Sequence, residues 1–262
     1  MSSTVAVVTG AARGFGREIA RRLAARGHDL VLTDLDEPAL ASASAELGAV
    51  GMVADARSAD DHRRVARTAA GRGPVAVWVN NAGVLRAGKA WELSDADVDL
   101  QLDANLAGVV HGSRAAVGVM RERGGHLLNL ASMSAHGPVP GLAVYAASKA
   151  GVLNFSLSLQ GDLDLERIPV RVHALCPDAA DTALVREEQG HADTAILFSQ
   201  AVLLTPGQVA DAAMGLLDGR RLVRSLPLRR ALMARTGAVV PRVSLRVLAR
   251  MRAAGEQRRR QR

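Results

Sequence analysis

The side chains best suited to chemistry in this chain are Ser132, Tyr145 and Lys149. Tyr145 is its single tyrosine, and Lys149 is one of two lysines in a sequence that otherwise carries positive charge on arginine. On a helix, residues four apart share a face about one turn from each other, so phenol and ammonium would open into one cleft. A free phenol, with a pKa of about 10, is a poor proton carrier near neutrality, and an adjacent cation lowers that value by favouring the phenolate. Tyr145 would thereby work as a general acid/base. Arginine would serve poorly at 149, because its planar fork is bulkier and differently directed than a compact ammonium. Ser132 follows the apolar run from His126 to Ala131 and would place a hydroxyl opposite the phenol, with room for a carbonyl oxygen between the two.

These residues need strand ends and a helix to hold them, and the pattern supplies both. Thr4 to Thr9, His28 to Thr33, Ala49 to Ala54, Val75 to Val79, His126 to Ala131 and Pro169 to Leu175 are short β-branched or apolar runs that read as buried strands. Between them lie segments of helical spacing: Arg17 to Arg26, a segment ending at Arg72, and Ser94 to about Arg123 behind an N-capping serine. Ala143 to Leu165 is the helix that carries Tyr145 and Lys149. Thr205-Pro206 opens another helix to about Leu217, and Arg221-Leu222-Val223 reads as a seventh strand. Alternation over residues 4 to 225 predicts one α/β domain, a doubly wound parallel sheet with its ligands at the carboxyl ends of the strands.

The first of those ends carries Gly10-Ala11-Ala12-Arg13-Gly14-Phe15-Gly16. Strand, glycine turn and helix make a cradle in which backbone approaches a pyrophosphate and the helix N-terminus offers free N–H groups. Asp34, about 20 residues after the turn, would accept hydrogen bonds from an adenosine ribose and repel a 2′-phosphate, which points to NAD.

Ser132, Tyr145, Lys149, the Thr9-Gly10-x-x-x-Gly14-x-Gly16 turn and Asn80-Asn81-Ala82-Gly83 after the fourth strand together resemble the short-chain dehydrogenase/reductase family. The resemblance implies a Rossmann fold, a homodimer or homotetramer, and reversible hydride transfer between NAD or NADP and a secondary alcohol or ketone. It implies that Tyr145 exchanges the hydroxyl proton and Ser132 holds the oxygen. Lys149 would lower the Tyr145 pKa and bind the nicotinamide ribose. Asn105, in Asp103-Ala104-Asn105-Leu106, would bind the water that links Lys149 to solvent. Expected cofactor contacts are Gly10, Arg13, Gly14, Phe15, Gly16, Asp34, Leu35, Asp55, Ala56, Asn81, Ala82, Gly83, Tyr145, Lys149, Pro177 and Thr182, with Asp55 at the adenine and Thr182 at the nicotinamide carboxamide. Arg13 occupies a position where a basic residue accompanies NADP use in this family, but Asp34 faces the distinguishing hydroxyl and outweighs it. An NADP-dependent ketoreductase stands as one alternative, and a catalytically idle nucleotide-binding or membrane-docked scaffold as another. Asp178, after Cys176-Pro177, departs from the family by replacing a glycine beside the expected nicotinamide.

Hydrophobic residues make up 48% of the 262, yet no apolar run reaches the roughly 18 residues of a membrane span. Met1 to Thr4 carry neither a basic region nor a cleavage site, so a cytoplasmic protein is expected. A single cysteine, Cys176, excludes an internal disulfide, and the histidines lack metal-ligand spacing, so no metal is expected. The net charge of +7 hides two opposite parts: residues 219 to 262 hold 14 Arg and one acid, for +13, and residues 1 to 218 sum to −6. Residues 183 to 204 are polar in their first half and apolar in their second, which suits either a cover over a lipophilic alcohol or ketone, as in the family it resembles, or plain core. Residues 226 to 262 read as a basic amphipathic extension, with Arg242, Arg246 and Arg250 on one helical face and Val243, Val247 and Met251 on another. Such a helix either packs on its own domain or a sister subunit, or makes a peripheral contact with an anionic membrane. Residues 258 to 262 are expected to be disordered. Nucleic-acid binding is not expected, because aromatics at 2% offer few stacking surfaces.

Overall fold

The computed structural model describes residues 3–200 and 202–259. Seven strands, β1 (Val5–Thr9), β2 (Asp29–Asp34), β3 (Val50–Val53), β4 (Val75–Asn80), β5 (Gly125–Leu130), β6 (Val170–Pro177) and β7 (Val223–Leu226), form one parallel sheet in the order β3-β2-β1-β4-β5-β6-β7. The order reverses between β1 and β4, and a crevice opens there at the carboxyl ends.

Strand alternation sorts side chains to the two faces. Ala6, Val8, Leu30 and Leu32 pack with α1 (Gly14–Ala25) and α8 (Pro206–Leu217) on one side. Val5, Val7 and Val31 pack on the other with α3 (Ala59–Arg72), α5 (Gly108–Met120) and α6 (Ala143–Leu165). In β4 the alternation slips once, where the pairing register with β1 shifts between Val5 and Ala6, and Trp78 is thereby turned into the second core beside Val75. Complete burial of each such aliphatic side chain contributes roughly 1.5–3 kcal/mol.

Helix starts follow their caps. Asp36 accepts from Ala39 N ahead of α2 (Glu37–Leu47), Ser58 from Asp61 N ahead of α3, and Thr205 and Gln208 form a reciprocal box on α8. The single helix expected from Ser94 to Arg123 is instead α4 (Asp95–Leu102), a π turn over Asp103–Ala107, and α5. The π turn inserts an extra residue and turns Asn105 fully into the interior, where its amide bonds the backbone of Val84. The seventh strand lies at Val223–Leu226 rather than Arg221–Val223, because pairing with Ala174–Pro177 of β6 fixes its register.

After β7, α9 (Leu228–Val239) and α10 (Pro241–Arg259) fold back over the carboxyl ends of β5 and β6. Arg258 and Arg259 therefore belong to α10, while residues 260 to 262 lie outside the described residues. α10 is strapped to a 3-10 segment at Ala192–Ser199: Arg252 pairs with Asp193, Arg258 donates to Ser199 O, and Gly255 packs so closely on the Ala195 carbonyl that a Cβ would overlap it. Among the described residues, no helix is long and apolar enough to cross a membrane.

Candidate active site

Two clefts meet at the carboxyl edge of the sheet. The first, about 360 Å3, is lined by Gly10, Arg13, Gly14, Phe15, Asp34, Leu35, Asp55, Ala56, Asn81, Ala82, Gly83 and Thr182, all of them expected cofactor contacts. Gly10 has φ +62, and a Cβ there would stand 2.8 Å from Ala82 Cα. Gly16 does not line the cleft; a Cβ on it would overlap the Gly10 carbonyl, so its role is to let α1 approach β1. Arg13, the N-cap of α1, is extended and supplies no side-chain cap. The first N–H groups of α1 therefore face the cleft without an internal acceptor, which fits a pyrophosphate.

Asp34 ends β2 and accepts from Ala12 N at 3.0 Å and Asp36 N at 3.1 Å. Each carboxylate oxygen keeps a further lone pair for a ribose hydroxyl. Arg13 reaches the opposite way, to Glu187 Oε1 at 3.3 Å, in an exposed pair. Asp55 is held in the charged form by Arg57, which grips both its oxygens and keeps its carboxyl below the usual range. Arg57 and Asp36 also line this cleft; the sequence reading missed both, although each lies two residues from an acid it had marked.

The Asn-Asn-Ala-Gly segment works partly as a fastener. Asn81 donates from Nδ2 to Thr9 O and Gly10 O, and Thr9 Oγ1 accepts from the backbone of Asn81 and Ala82. Asn80 joins Trp78, Ser113 and Asn129 in a buried network beneath. Buried amides satisfied in this way fix the ends of β1 and β4 relative to each other. Thr9 gave no signal beyond its place ahead of Gly10.

The second cleft, about 320 Å3, contains Ser132, Tyr145, Lys149, Asn105 and Pro177 and shares Phe15, Asn81, Gly83, Val84, Thr182 and Leu184 with the first. Ser132 is positioned by the end of β5, and its Oγ accepts from Ser134 N at 3.2 Å. Tyr145 is on the first turn of α6 and buried, with the Ser132 hydroxyl as its polar neighbour. Lys149 Nζ donates to Leu130 O at 2.9 Å and stands 5.8 Å from the Tyr145 ring centroid. Burial pushes the phenol up to about 12 against the opposing pull of Ser132, and burial pushes the Lys149 ammonium down to about 8. The expected lowering of Tyr145 by Lys149 is thus reversed here, because desolvation of the phenol outweighs a cation that turns toward a carbonyl. Asn105 Oδ1 accepts from Val84 N at 2.8 Å, and its Nδ2 donates to Val84 O at 2.8 Å and Ser148 Oγ at 3.2 Å. Its amide thus holds the chain after Gly83. His136 turns away to Ser225 Oγ, and Cys176 is a buried thiol pushed up to about 11.

Asp178 does not face the cofactor as an unpaired charge. Its Oδ1 accepts from Ala179 N, and its Oδ2 pairs with Arg230 of α9, which also donates to Ser199 Oγ at 3.1 Å. The acid that departs from the family pattern and the basic extension therefore explain each other. Met233, Ala234, Val240, Val243, Val247 and Leu248 add an aliphatic outer wall to this cavity. From the sequence, residues 183 to 204 were the expected cover; no local signal linked the last two helices to residues 132 to 145.

Residues 4–193 match the model of the short chain dehydrogenase family. The chain is 36% identical over 197 residues to the probable oxidoreductase EphD of Mycobacterium tuberculosis, a match that takes in 72% of this chain but only 33% of that protein. It is 39% identical over 196 residues to 1-deoxy-11-beta-hydroxypentalenate dehydrogenase of Streptomyces avermitilis, covering 71% of this chain and 72% of the relative. A short chain dehydrogenase/reductase from Burkholderia phymatum, solved in complex with NAD, superposes with a TM-score of 0.83 at 29% identity, over 89% of this chain and 92% of that one. With glycine cradle, fastened strand ends and a Ser132–Tyr145–Lys149 cluster at the places the fold requires, the chain belongs to the short chain dehydrogenase family.

Proposed function

We propose that the protein is an oxidoreductase that interconverts a lipophilic secondary alcohol and its ketone, using NAD. The observation that carries this reading is the Ser132–Tyr145 hydroxyl pair, set in an apolar cavity that shares the wall Phe15, Gly83, Val84 and Thr182 with the dinucleotide cleft. A nicotinamide held there would supply or accept the hydride at the substrate carbon.

The chain's own residues handle the oxygen and its proton. In reduction, Ser132 Oγ holds the substrate oxygen while Tyr145 Oη donates its proton to it and becomes phenolate; in oxidation the reverse step starts from that phenolate, which takes the proton of the substrate hydroxyl. A buried phenol that keeps its proton is well suited to donate it to a developing alkoxide. Lys149, close behind the ring, opposes the cost of a phenolate when one forms. Asn105 holds the chain at Gly83 and Val84 so that Lys149 has room, since a Cβ on Gly83 would lie 2.7 Å from Asn105 Oδ1 and 3.5 Å from Lys149 Nζ. The aliphatic lining excludes water and favours a substrate with apolar substituents. The domain expected over residues 1 to 225 carries the cofactor and reactive groups, and from the extension after it Arg230 to Met251 supply the outer wall.

The preference for NAD rests on charge at the ribose end. Asp34 and Asp36 line that end; Arg57 is neutralised by Asp55 and Arg13 is drawn to Glu187. A 2′-phosphate would meet carboxylates there. Fluorescence titration with NADH and NADPH, followed by turnover of secondary alcohols with NAD, tests the reading. Tighter NADH binding together with Tyr145-dependent turnover is expected; tighter NADPH binding would reverse the cofactor assignment, and saturable NADH binding with no turnover over a broad alcohol panel would leave an idle nucleotide-binding protein.

A further inference from the structure

The mouth of the substrate cavity coincides with an exposed apolar surface on the arginine-rich extension. Met233, Val240, Val243 and Val247 line the cavity and are at the same time 43%, 52%, 54% and 38% exposed. Residues that do both stand at the rim, so the cavity opens between α9 and α10 through aliphatic side chains. Leu228, Leu232 and Leu245 are further exposed apolar side chains on the same two helices. Arg229, Arg235, Arg242, Arg246 and Arg250 are exposed on the same two helices, Arg242, Arg246 and Arg250 on the face next to that of Val243 and Val247. The inward arginines have structural tasks: Arg230 pairs with Asp178, Arg252 with Asp193, and Arg258 with the Ser199 carbonyl. The outward ones add to a local excess of +13 over residues 219 to 262, on a chain that is otherwise −6.

We propose that this face docks on an anionic lipid bilayer, with α9 and α10 lying in the headgroup region and the cavity mouth turned toward the acyl chains. A membrane-dissolved alcohol or ketone then enters between Val240, Val243 and Val247 without crossing water. The delivery step rests on the reading of the cavity as the substrate site; the docking step does not. Helices with an aliphatic face and a basic margin lie in the plane of the interface. Arginine stems extend along apolar surface while their guanidinium groups reach the phosphates. A second copy is a poor occupant, because apposing two such faces sets one strongly positive surface against another. A polyanion such as nucleic acid would satisfy the arginines but leave the aliphatic rim in water.

The test is sedimentation of the full-length protein with vesicles of phosphatidylglycerol and phosphatidylcholine, against vesicles of phosphatidylcholine alone, at about 0.1 M and about 0.5 M salt. Binding to the anionic vesicles that weakens in high salt is expected. Each surface arginine contributes about fivefold, so the triple change Arg242→Gln, Arg246→Gln, Arg250→Gln should lower vesicle affinity by roughly a hundredfold. Leu232→Gln with Leu245→Gln, neither residue lining the cavity, should also weaken it, and both variants should turn over a short water-soluble secondary alcohol like the wild type. A long-chain secondary alcohol dissolved in anionic vesicles should be turned over faster by the wild type than by the arginine variant; equal rates would overturn delivery. No preference for anionic vesicles would overturn docking, while turnover of the soluble alcohol reports on the catalytic reading separately. If ultracentrifugation shows self-association that the two leucine changes abolish with vesicle binding unaltered, the face joins copies of the chain and the proposal is overturned.

Discussion

The two clefts that meet at Gly83 and Thr182 are built by different means. The dinucleotide cleft is floored by main chain and small residues at the turns after β1 and β4, with charged side chains such as Asp34, Asp55 and Arg57 from the turns after β2 and β3. Its dimensions are set by backbone, and at Gly10 and Gly16 even a methyl group would collide with it. The substrate cavity is walled by aliphatic side chains from the ends of β5 and β6, the Ala192–Ser199 segment, α9 and α10. Side chains of different size fit there without moving the sheet. A chain can therefore keep one half of the site almost unaltered while rebuilding the other, and here the rebuilding extends to Asp178, which ties the rebuilt wall to β6.

The largest expected effect divides the halves cleanly. Tyr145→Phe should lower turnover by about a thousandfold or more, within the range of acid/base catalysis, and leave NADH affinity within about twofold. A Phe variant that retains activity would remove the mechanism. Breaking the tie between the halves comes next. Asp178→Ala leaves the Arg230 guanidinium beneath α9 without its carboxylate and should cost about 3 kcal/mol in denaturant unfolding. Asp178→Leu with Arg230→Met should recover part of that loss, since two apolar groups leave no uncompensated charge. A loss below about 1 kcal/mol for Asp178→Ala would show that the pair does not hold the outer wall.

Lys149 sharpens the comparison through pH. Its folded pKa of about 8 lies below the ordinary 10.5, so the unfolded chain binds more protons between those values and stability rises with pH across them. Wild type measured against Lys149→Met should gain up to about 3 kcal/mol from pH 8 to 10.5. Tyr145 acts oppositely: raised from 10 to about 12, it makes the folded state hold the extra proton, so its contribution falls as pH rises through that window. Thermal melts over pH 7 to 10 of both proteins test the first sign; a flat difference would mean the amine is not buried as described.

Within the dinucleotide half the effects are smaller. Asp34→Ala should weaken NADH about tenfold to thirtyfold, the value of charge-assisted hydrogen bonds to the ribose, and narrow the gap to NADPH. Arg13→Ala should change either affinity by less than about threefold, because its pair with Glu187 is exposed. A large loss of NADPH binding in that variant would give Arg13 the discriminating role.

The parts of the site that were legible in advance are local ones. The glycine turn, Asp34, the Asn80-Asn81-Ala82-Gly83 strand end and the Tyr145–Lys149 spacing each depend on a few consecutive residues. Helix α6 lies at Ala143–Leu165, as its spacing predicted. The π turn was hidden because both halves of Ser94 to Arg123 keep helical spacing, and what breaks the helix is the distant backbone of Val84. Lys149 was expected to depress the Tyr145 pKa because spacing reports that the two are neighbours, while burial, which raises it, depends on everything packed around them.

The sequence by itself determined the alternation of strands and helices, the glycine turn after the first strand, and which side chains could exchange a proton. These follow from steric limits and periodicity that act over one turn or one strand. Only the tertiary structure decided that Asp178 meets Arg230, that Arg57 holds Asp55, and that α9 and α10 close the substrate cavity and form its mouth. Such contacts join segments with no covalent or periodic relation, and their energies depend on how much water the whole fold excludes.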